Sequence, residues 1–359
     1  MNTTQIDMAF IKQPSTRQAP LLMACACSLL LGLSTAANAQ TSASFVGELD
    51  LYLGDTQPAG DDDIDSTQGI ESNGMTTSWI GAHGEHIIND DLKVVAALEA
   101  FLRPDSGEAG RFEDDIYFAR AAYIGLAGNF GEVKIGRIAA AHFISAISFN
   151  PFGDSFAFSP MILMSYGGGG LYGDTGWSDS VSYTTPELGG FTSTLAYAFG
   201  EEEGETSTNK MGANTFYKAG NFGFTAAVQK ISGTQPGAMG MGPDDEQTTS
   251  LLGVSYAIGK STLYAQYQLM DDNFVAGDTD RDTLVLSASI AAGAGAVYLG
   301  YGFTDTSSDA GDTDRNIYTL AYNYPLGKDA DLYAAYTSDD PEAAEQTGHA
   351  LGLGGRYRF

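Results

Sequence analysis

Cysteine is almost missing from this chain: Cys25 and Cys27 are the only two, and both sit inside one short apolar run near the N-terminus. No disulfide framework can therefore hold the body of the protein together. Basic side chains are scarce as well, 17 against 45 acidic ones. That imbalance excludes nucleic acid as a partner, because a phosphate backbone requires the opposite sign. Long apolar runs are absent too. No stretch after the first forty residues approaches the roughly 20 apolar residues of a spanning helix. Histidine is limited to His83, His86, His142 and His349. No serine lies in a G-x-S-x-G elbow, so the apparatus of a hydrolase is not evident. The chain is expected not to be an enzyme and to need no cofactor or metal.

The apolar run itself, "LLMACACSLLLGLS" (21–34), follows Lys12 and Arg17 and precedes "AANAQ". A basic start, an apolar middle and the Ala37-Asn38-Ala39 site form a secretory signal, expected to be cleaved before Gln40. Residues 40–359 are then a single domain. Removing 1–39 takes away Lys12, Arg17 and Asp7, leaving 15 basic against 44 acidic side chains. Such a surface favours cations as partners.

What the body of the chain has in abundance is glycine (45), tyrosine (19) and phenylalanine (19), arranged with a period of two. "SFVGELDLYLG" (44–54) sets Phe45, Leu49, Leu51 and Leu53 against Val46, Glu48, Asp50 and Tyr52. About sixteen such segments occur, near Ser44, Thr76, Leu92, Ile116, Val133, Ser180, Phe191, Gly212, Phe222, Thr248, Thr262, Asp282, Gly295, Arg315, Asp331 and Thr347. Their connections alternate between short ("INDD", "AGNFG", "PELGG", "PLGKD") and long and acidic ("DDDID", "EEEGE", "PDDE"). This alternation predicts an all-β fold, an antiparallel up-and-down transmembrane barrel with tight turns at one end and long loops at the other. The final "LGLGGRYRF" then reads as a last strand, with His349, Leu351, Leu353, Tyr357 and Phe359 toward lipid and Arg356 and Arg358 toward the lumen.

Four stretches, "FARAAYIGLAGNFGEVKIGR" (118–137), "SVSYTTPELGGFTSTLAYAF" (180–199), "DLYAAYT" (331–337) and the terminal "GRYRF", follow in an order and spacing that resemble the Gram-negative general porins of the trimeric, sixteen-stranded kind. The resemblance implies a homotrimer in the outer membrane, in contact with lipid and lipopolysaccharide. It implies a third outer loop, here about Ile138 to Trp177, folded inward to narrow the barrel. It also implies that the barrel-assembly machinery reads the terminal aromatics Tyr357 and Phe359. The expected function is a diffusion channel for small hydrophilic solutes and ions. The alternatives are a substrate-specific channel, with Phe149, Phe152, Phe156 and Phe158 as a stacking track for sugars, and, behind it, an adhesin or binding barrel.

In such porins, loop acids face a basic cluster on the wall. Asp154 in "NPFGD" matches the loop acid, and Arg120 in "FARAAYIGL" matches a wall arginine, expected at mid-height with Ala122 on the same inward face. Two positions depart from the family pattern. Trp79 in "SWIGAHGE" stands where the family has arginine, and Glu48 in "FVGELD" stands where it has a base. Asp50 and Glu99 add acid to the inward face, so the basic cluster is expected to thin to Arg120, helped by Lys134 and Arg137. An acid in place of a base at a narrowing favours cations. Two weaker motifs remain. "AGDTDR" recurs at 276–281 and 310–315, with Asp278, Asp280 and Asp282 at alternating spacing, and is expected to be a solvated acidic loop. "HGEH" (83–86) puts its two histidines on opposite faces of a strand, which is unsuited to a shared metal.

Overall fold

The computed structural model describes residues 41–61, 65–168, 170–200, 209–233 and 241–359. The expected signal segment 1–39, Asp62 and the "EEEGE" run lie outside the described residues. Eighteen strands form one antiparallel sheet: β1 (Thr41–Gln57), β2 (Thr67–Ser72), β3 (Trp79–Asn89), β4 (Leu92–Arg103), β5 (Glu108–Ala109), β6 (Ala121–Gly128), β7 (Gly131–Ala139), β8 (Gly176–Thr184), β9 (Phe191–Ala198), β10 (Lys210–Ala219), β11 (Phe222–Ser232), β12 (Glu246–Ile258), β13 (Ser261–Asn273), β14 (Thr279–Ala292), β15 (Gly295–Ser308), β16 (Thr313–Pro325), β17 (Ala330–Pro341) and β18 (Gly348–Arg358). Two of these, β2 and β5, belong to long connections, where β2 extends the edge of β1 and β5 that of β4. The other sixteen form the wall. It closes where β1 pairs with β18 from Glu48↔Arg358 to Gln57↔His349 and with β3 from Thr41↔His86 to Glu48↔Trp79. Closure leaves no free edge, the condition for a sheet to sit in hydrocarbon.

The faces of the wall are inverted relative to a water-soluble protein. In β13, Leu263, Tyr267 and Leu269 are exposed, whereas Gln266 and Gln268 are buried. The same split puts Leu252, Leu320 and Leu353 outside and Thr249, Thr319 and Thr337 inside. Inside, threonines meet across strands: Thr283 and Thr304 hydroxyls are 2.9 Å apart, and those of Thr319 and Thr337 are 3.0 Å apart. A lipid-bathed barrel requires this arrangement, since apolar side chains outward remove no hydrocarbon contact and polar ones inward find partners or water. No described helix is long and apolar enough to cross a membrane, which says nothing of strands.

Connections alternate as the sequence predicts. Short ones (90–91, 129–130, 185–190, 220–221, 259–260, 293–294 and 326–329) mark one end, and the long ones mark the other. Two strands start later than expected. β3 begins at Trp79, because the Met75 and Thr76 amides donate to the Asp50 carboxylate at 2.7 and 2.9 Å instead of joining a ladder. β6 begins at Ala121, well past Ile116, because Arg137 Nε binds the Ala119 carbonyl at 2.6 Å and holds that stretch outside the sheet.

The longest described connection, 140–175, carries two short helices, α1 (Ala141–Ser148) and α2 (Pro160–Ser165). Buried Ala141, His142, Ser145 and Ala146 form one face of α1, the spacing of an amphipathic turn. Their partners lie on the buried, inner side of the wall. Asn214 Nδ2 donates to Ala141 O at 2.7 Å, Gln266 Nε2 to Ala146 O at 3.0 Å, and Ser165 Oγ to Gln268 Oε1 at 3.0 Å. An apolar cluster of Ala146, Met161, Ile162, Met164, Ala227, Leu251, Val285 and Ile317 fixes the same contact. Gly302 makes room for it: a Cβ there would stand 2.5 Å from Met164 Sδ.

Candidate functional site

Charged side chains gather where the inward segment meets β1, β3, β4 and β18. Glu48 pairs with Arg358 at 2.9 Å, and Arg358 also donates to Asp331 at 3.0 Å. Arg356 Nε meets the other oxygen of Asp331 at 2.9 Å. Across the strand register Glu48 faces Trp79, and the Arg120 guanidinium lies over the Trp79 ring, 3.9 Å from its centroid. Arg120 also pairs with Glu99, whose other oxygen is 2.6 Å from His83 Nε2. The wall thus carries a connected row of acids and bases, Asp331, Arg358 and Glu48, then across the Trp79 ring Arg120 and Glu99, with the His83 ring bonded to Glu99 at its end. Asp154 on the inward segment accepts from Thr76 Oγ1 at 2.6 Å, and its charge acts on Glu48 together with that of Asp331.

Asp50 approaches this cluster without lining it. Its carboxylate has no accessible surface and is held by Tyr333 Oη at 2.5 Å and by the Met75 and Thr76 amides. Thr76, through its amide on Asp50 and its hydroxyl on Asp154, ties the inward segment to the wall. Ser155 Oγ adds a bond to Gly74 O at 2.5 Å.

Several positions differ from the sequence expectation. Arg120 lies one residue before β6, not at mid-strand, and Ala122 shares the outer face with exposed Ile124 and Leu126. Arg120 reaches the cluster because the backbone there has left strand geometry. Glu48 is paired with Arg358, which closure of the barrel brings into register with it. Lys134 pairs with Glu132 at 2.5 Å and sits 4.7 Å from the Tyr123 ring centre, nearer the short-turn end of the wall. Arg137 serves a clasp. A register shift between Gly136 and Ile138, with Gly136 at φ 128°, brings it to Asp174, and it also donates to Ser178 Oγ at 3.1 Å. Asp174 is shared with Arg111, 2.5 Å away, which pairs in turn with Asp115 at 2.8 Å and packs over Phe101. Burial pushes the Asp174 carboxyl up, but the bonds and charge of Arg111, then Arg137, override it and hold the group below the usual carboxylate range. Burial pushes the Asp115 carboxyl up as well, and the bonds and charge of Arg111 override it and hold the group low.

The bases that sequence reasoning left out of the site are Arg356 and Arg358. Their signal was present, since they alternate with exposed Tyr357 and Phe359. Of the four phenylalanines expected to form a track, Phe149, Phe152 and Phe158 are buried, packing on Phe216, Tyr298 and Tyr52, and Phe156 is half-buried against the apolar cluster of the inward segment. His83 and His86 lie on opposite faces, with His86 Nδ1 2.7 Å from Thr41 Oγ1. At the terminus, Phe359 exchanges two backbone hydrogen bonds of 3.0 Å with Gly47 and stacks on Phe45 at 5.5 Å.

A closed sixteen-stranded barrel, apolar outside and charged within, with a segment packed on its inner wall, defines a membrane channel scaffold. A family model described as Gram-negative porin matches residues 24–344. The chain belongs to that family, and its place is the Gram-negative outer membrane. Outer membrane porin protein 32 of Delftia acidovorans is 29% identical over 247 residues, 65% of each chain, so this chain spans just under two thirds of that relative's length. A monosaccharide porin of a Halomonas species is 26% identical over 267 residues, 60% of this chain and 67% of the relative. Among solved structures, an anion-selective porin from Comamonas acidovorans superposes with a TM-score of 0.75 at 23% identity, covering 89% of this chain and 100% of that one. OmpT of Vibrio cholerae in its trimer form gives 0.68 at 18% identity, covering 89% and 100%.

Proposed function

We propose that this chain is exported by the signal at 1–39 and works as a trimeric diffusion channel for small hydrophilic solutes and ions, preferring cations. One observation carries the preference. Where the inward segment meets the wall, five carboxylates (Glu48, Asp50, Glu99, Asp154, Asp331) stand with three guanidinium groups (Arg120, Arg356, Arg358), a formal excess of two negative charges. Lys134 and Arg137 do not offset it, because Lys134 is paired with Glu132, and Arg137 with Arg111 is balanced by Asp174 and Asp115. In a narrow lumen with low-dielectric walls, such an excess concentrates cations and depletes anions.

The relative from Comamonas acidovorans is described as anion-selective, and the balance of charge here is the reason to expect the opposite sign. The Halomonas relative is described as a monosaccharide porin. A sugar-specific reading is weaker for this chain, since three of the four phenylalanines named for it, Phe149, Phe152 and Phe158, are buried and Phe156 is half-buried. The test is the zero-current potential of the purified protein in a planar bilayer across a tenfold potassium chloride gradient. A cation-selective sign supports the reading, an anion-selective sign overturns the preference, and the absence of conductance overturns the channel.

A further inference from the structure

Charge is placed unevenly on the outer face of the wall. At the long-loop end of β13 to β16 its charged side chains are all acids. Asp271 opposes Asp280, and Asp305 stands between Asp282 and Asp314. Such opposed like charges repel any anionic neighbour as they repel each other. Among the described residues, Lys230 of β11 is the one lysine or arginine of the strands that points outward, between buried Gln229 and Ile231. Its Nζ meets Glu246 at 2.8 Å, and both side chains are about two-fifths exposed. Exposed Phe222 lies at the short-turn end of the same strand, eight residues below. At about 3.3 Å per residue and a tilt near 40°, that spacing is roughly 20 Å of height. Lys230 therefore stands near the upper edge of an apolar band about 25 Å tall, on the side of the outer leaflet.

Below Lys230 the outer face is hollowed. A groove of about 650 Å³ is lined by Val181, Tyr183, Leu195, Tyr197, Met211 and Val228, with Lys230 at its rim. Ala213 forms the floor, because its register partners Leu195 and Val228 are both longer and stand exposed on either side. Thr248, the register partner of Lys230, and Ser250 on the same face set two hydroxyls beside the ammonium. A second groove, of about 450 Å³, lies on β14 to β17 and includes Ala288, Leu299 and Leu320. The strands above that one carry Asp282, Asp305 and Asp314. The two hollows thus differ in the sign of the charge over them.

We propose that the groove on β8 to β11 is a docking site for a phosphorylated acyl lipid of the outer leaflet, with one acyl chain lying along Ala213 and a phosphate on Lys230. An ammonium has three protons to donate, so Glu246 occupies one and leaves others for phosphate oxygens. A stem that runs along apolar surface with its charge at the polar boundary is the arrangement a lysine adopts at a membrane edge. Along β13 to β16 the same phosphate meets carboxylates, so the second groove is closed to it. The proposal rests on the outer-membrane placement of the barrel and not on ion preference, so a failed channel test leaves it standing.

Native mass spectrometry of the purified protein in detergent tests it, with bis-phosphorylated lipid A and its dephosphorylated form as probes. The proteins are the parent, Lys230→Met, Ala213→Leu and Ala288→Leu, each checked for folding by heat-modifiable mobility on gels. The parent is expected to hold the phosphorylated lipid roughly tenfold more tightly than the dephosphorylated one, the scale of a charge-assisted hydrogen bond. Lys230→Met should remove that preference. Ala213→Leu, which fills the groove, should weaken binding of both lipids, and Ala288→Leu should bind as the parent does. Equal binding of the two lipids by the parent, or a preference that survives Lys230→Met, overturns the proposal. A preference abolished by a chelator belongs to divalent cations on the acidic rim and overturns it as well. So does dissociation of an oligomer by Ala213→Leu, which would make the occupant a second copy of the chain. The comparison of the two lipids is made on the parent, so it decides even where a variant does not fold.

Discussion

Reversing one charge at Glu48 offers the most direct check on the charge count. Glu48→Arg removes a carboxylate and adds a guanidinium, so the excess of two negative charges becomes zero, and Trp79→Arg in addition makes it one positive. Arg358 loses its 2.9 Å partner but keeps Asp331 at 3.0 Å, so the last strand retains a tether. For an ion passing about 7 Å away, each unit of charge is worth roughly 0.6 kcal/mol in water, reduced about twofold by screening at 0.1 M salt. The effect acts in opposite directions on cation and anion, so two units change the cation-to-anion ratio roughly sevenfold. At 1 M, where screening shortens to about 3 Å, the same change shrinks to roughly 1.5-fold. The assay is the zero-current potential across a tenfold gradient at both salt levels, for Glu48→Gln, Glu48→Arg and Glu48→Arg with Trp79→Arg. The three should shift in that order toward anions. Asp280→Asn, an exposed aspartate of the outer face, should shift little. If Glu48→Arg leaves the potential where it was, Glu48 does not face the ions, and the charge count has no bearing on selectivity.

Deleting Phe359 should lower the yield of folded protein in the outer membrane while the channels that assemble keep parental conductance, because its two bonds to Gly47 and its stack on Phe45 join the ends of the wall; heat-modifiable mobility on gels reads the folded fraction. Asp174→Asn should loosen the base of the inward segment and increase open-channel current noise, since it removes the carboxylate that Arg137 and Arg111 share, a loss of about 1–3 kcal/mol for an acid that is itself partly exposed. The same clasp sets an acid limit: with Asp174 and Asp115 held below the usual carboxylate range, its contribution is complete above the unfolded value near 3.9 and is lost as pH falls through the lower folded values. Noise in the parent should therefore stay flat down to about pH 4 and rise only below it.

The barrel was legible in the sequence because a wall between lipid and water imposes one simple rule, alternation, on every strand, and turn residues punctuate it. β13 and β18 show it without interruption. The rule fails where backbone polar groups are taken by side chains. Asp50 captures the amides at 75 and 76, Arg137 captures the carbonyl at 119, and both strands nearby begin late. Arg120 was assigned by counting from a strand it does not belong to, and Ala122 faces outward for the same reason. The pairing of Glu48 with Arg358 spans the closure of the barrel, more than three hundred residues apart in sequence, and no local pattern encodes it. Arg356 and Arg358 were visible as inward-facing residues, yet their partnership with Asp331 and Glu48 depends on which strands meet at that seam.

Ala139 and Gly176 are register partners, the last of β7 and the first of β8, and the Ala140 amide meets the Thr175 carbonyl at 2.8 Å. The wall therefore continues across the base of the inward segment as though a hairpin turn stood there, and everything from 140 to 175 is an excursion from a sheet that is already in register. The inward segment can therefore change in sequence without disturbing the register of β7 and β8. The strands carry a double load by comparison, since Glu48, Glu99, Asp331, Arg356 and Arg358 sit on the same backbone that must also meet the demands of assembly.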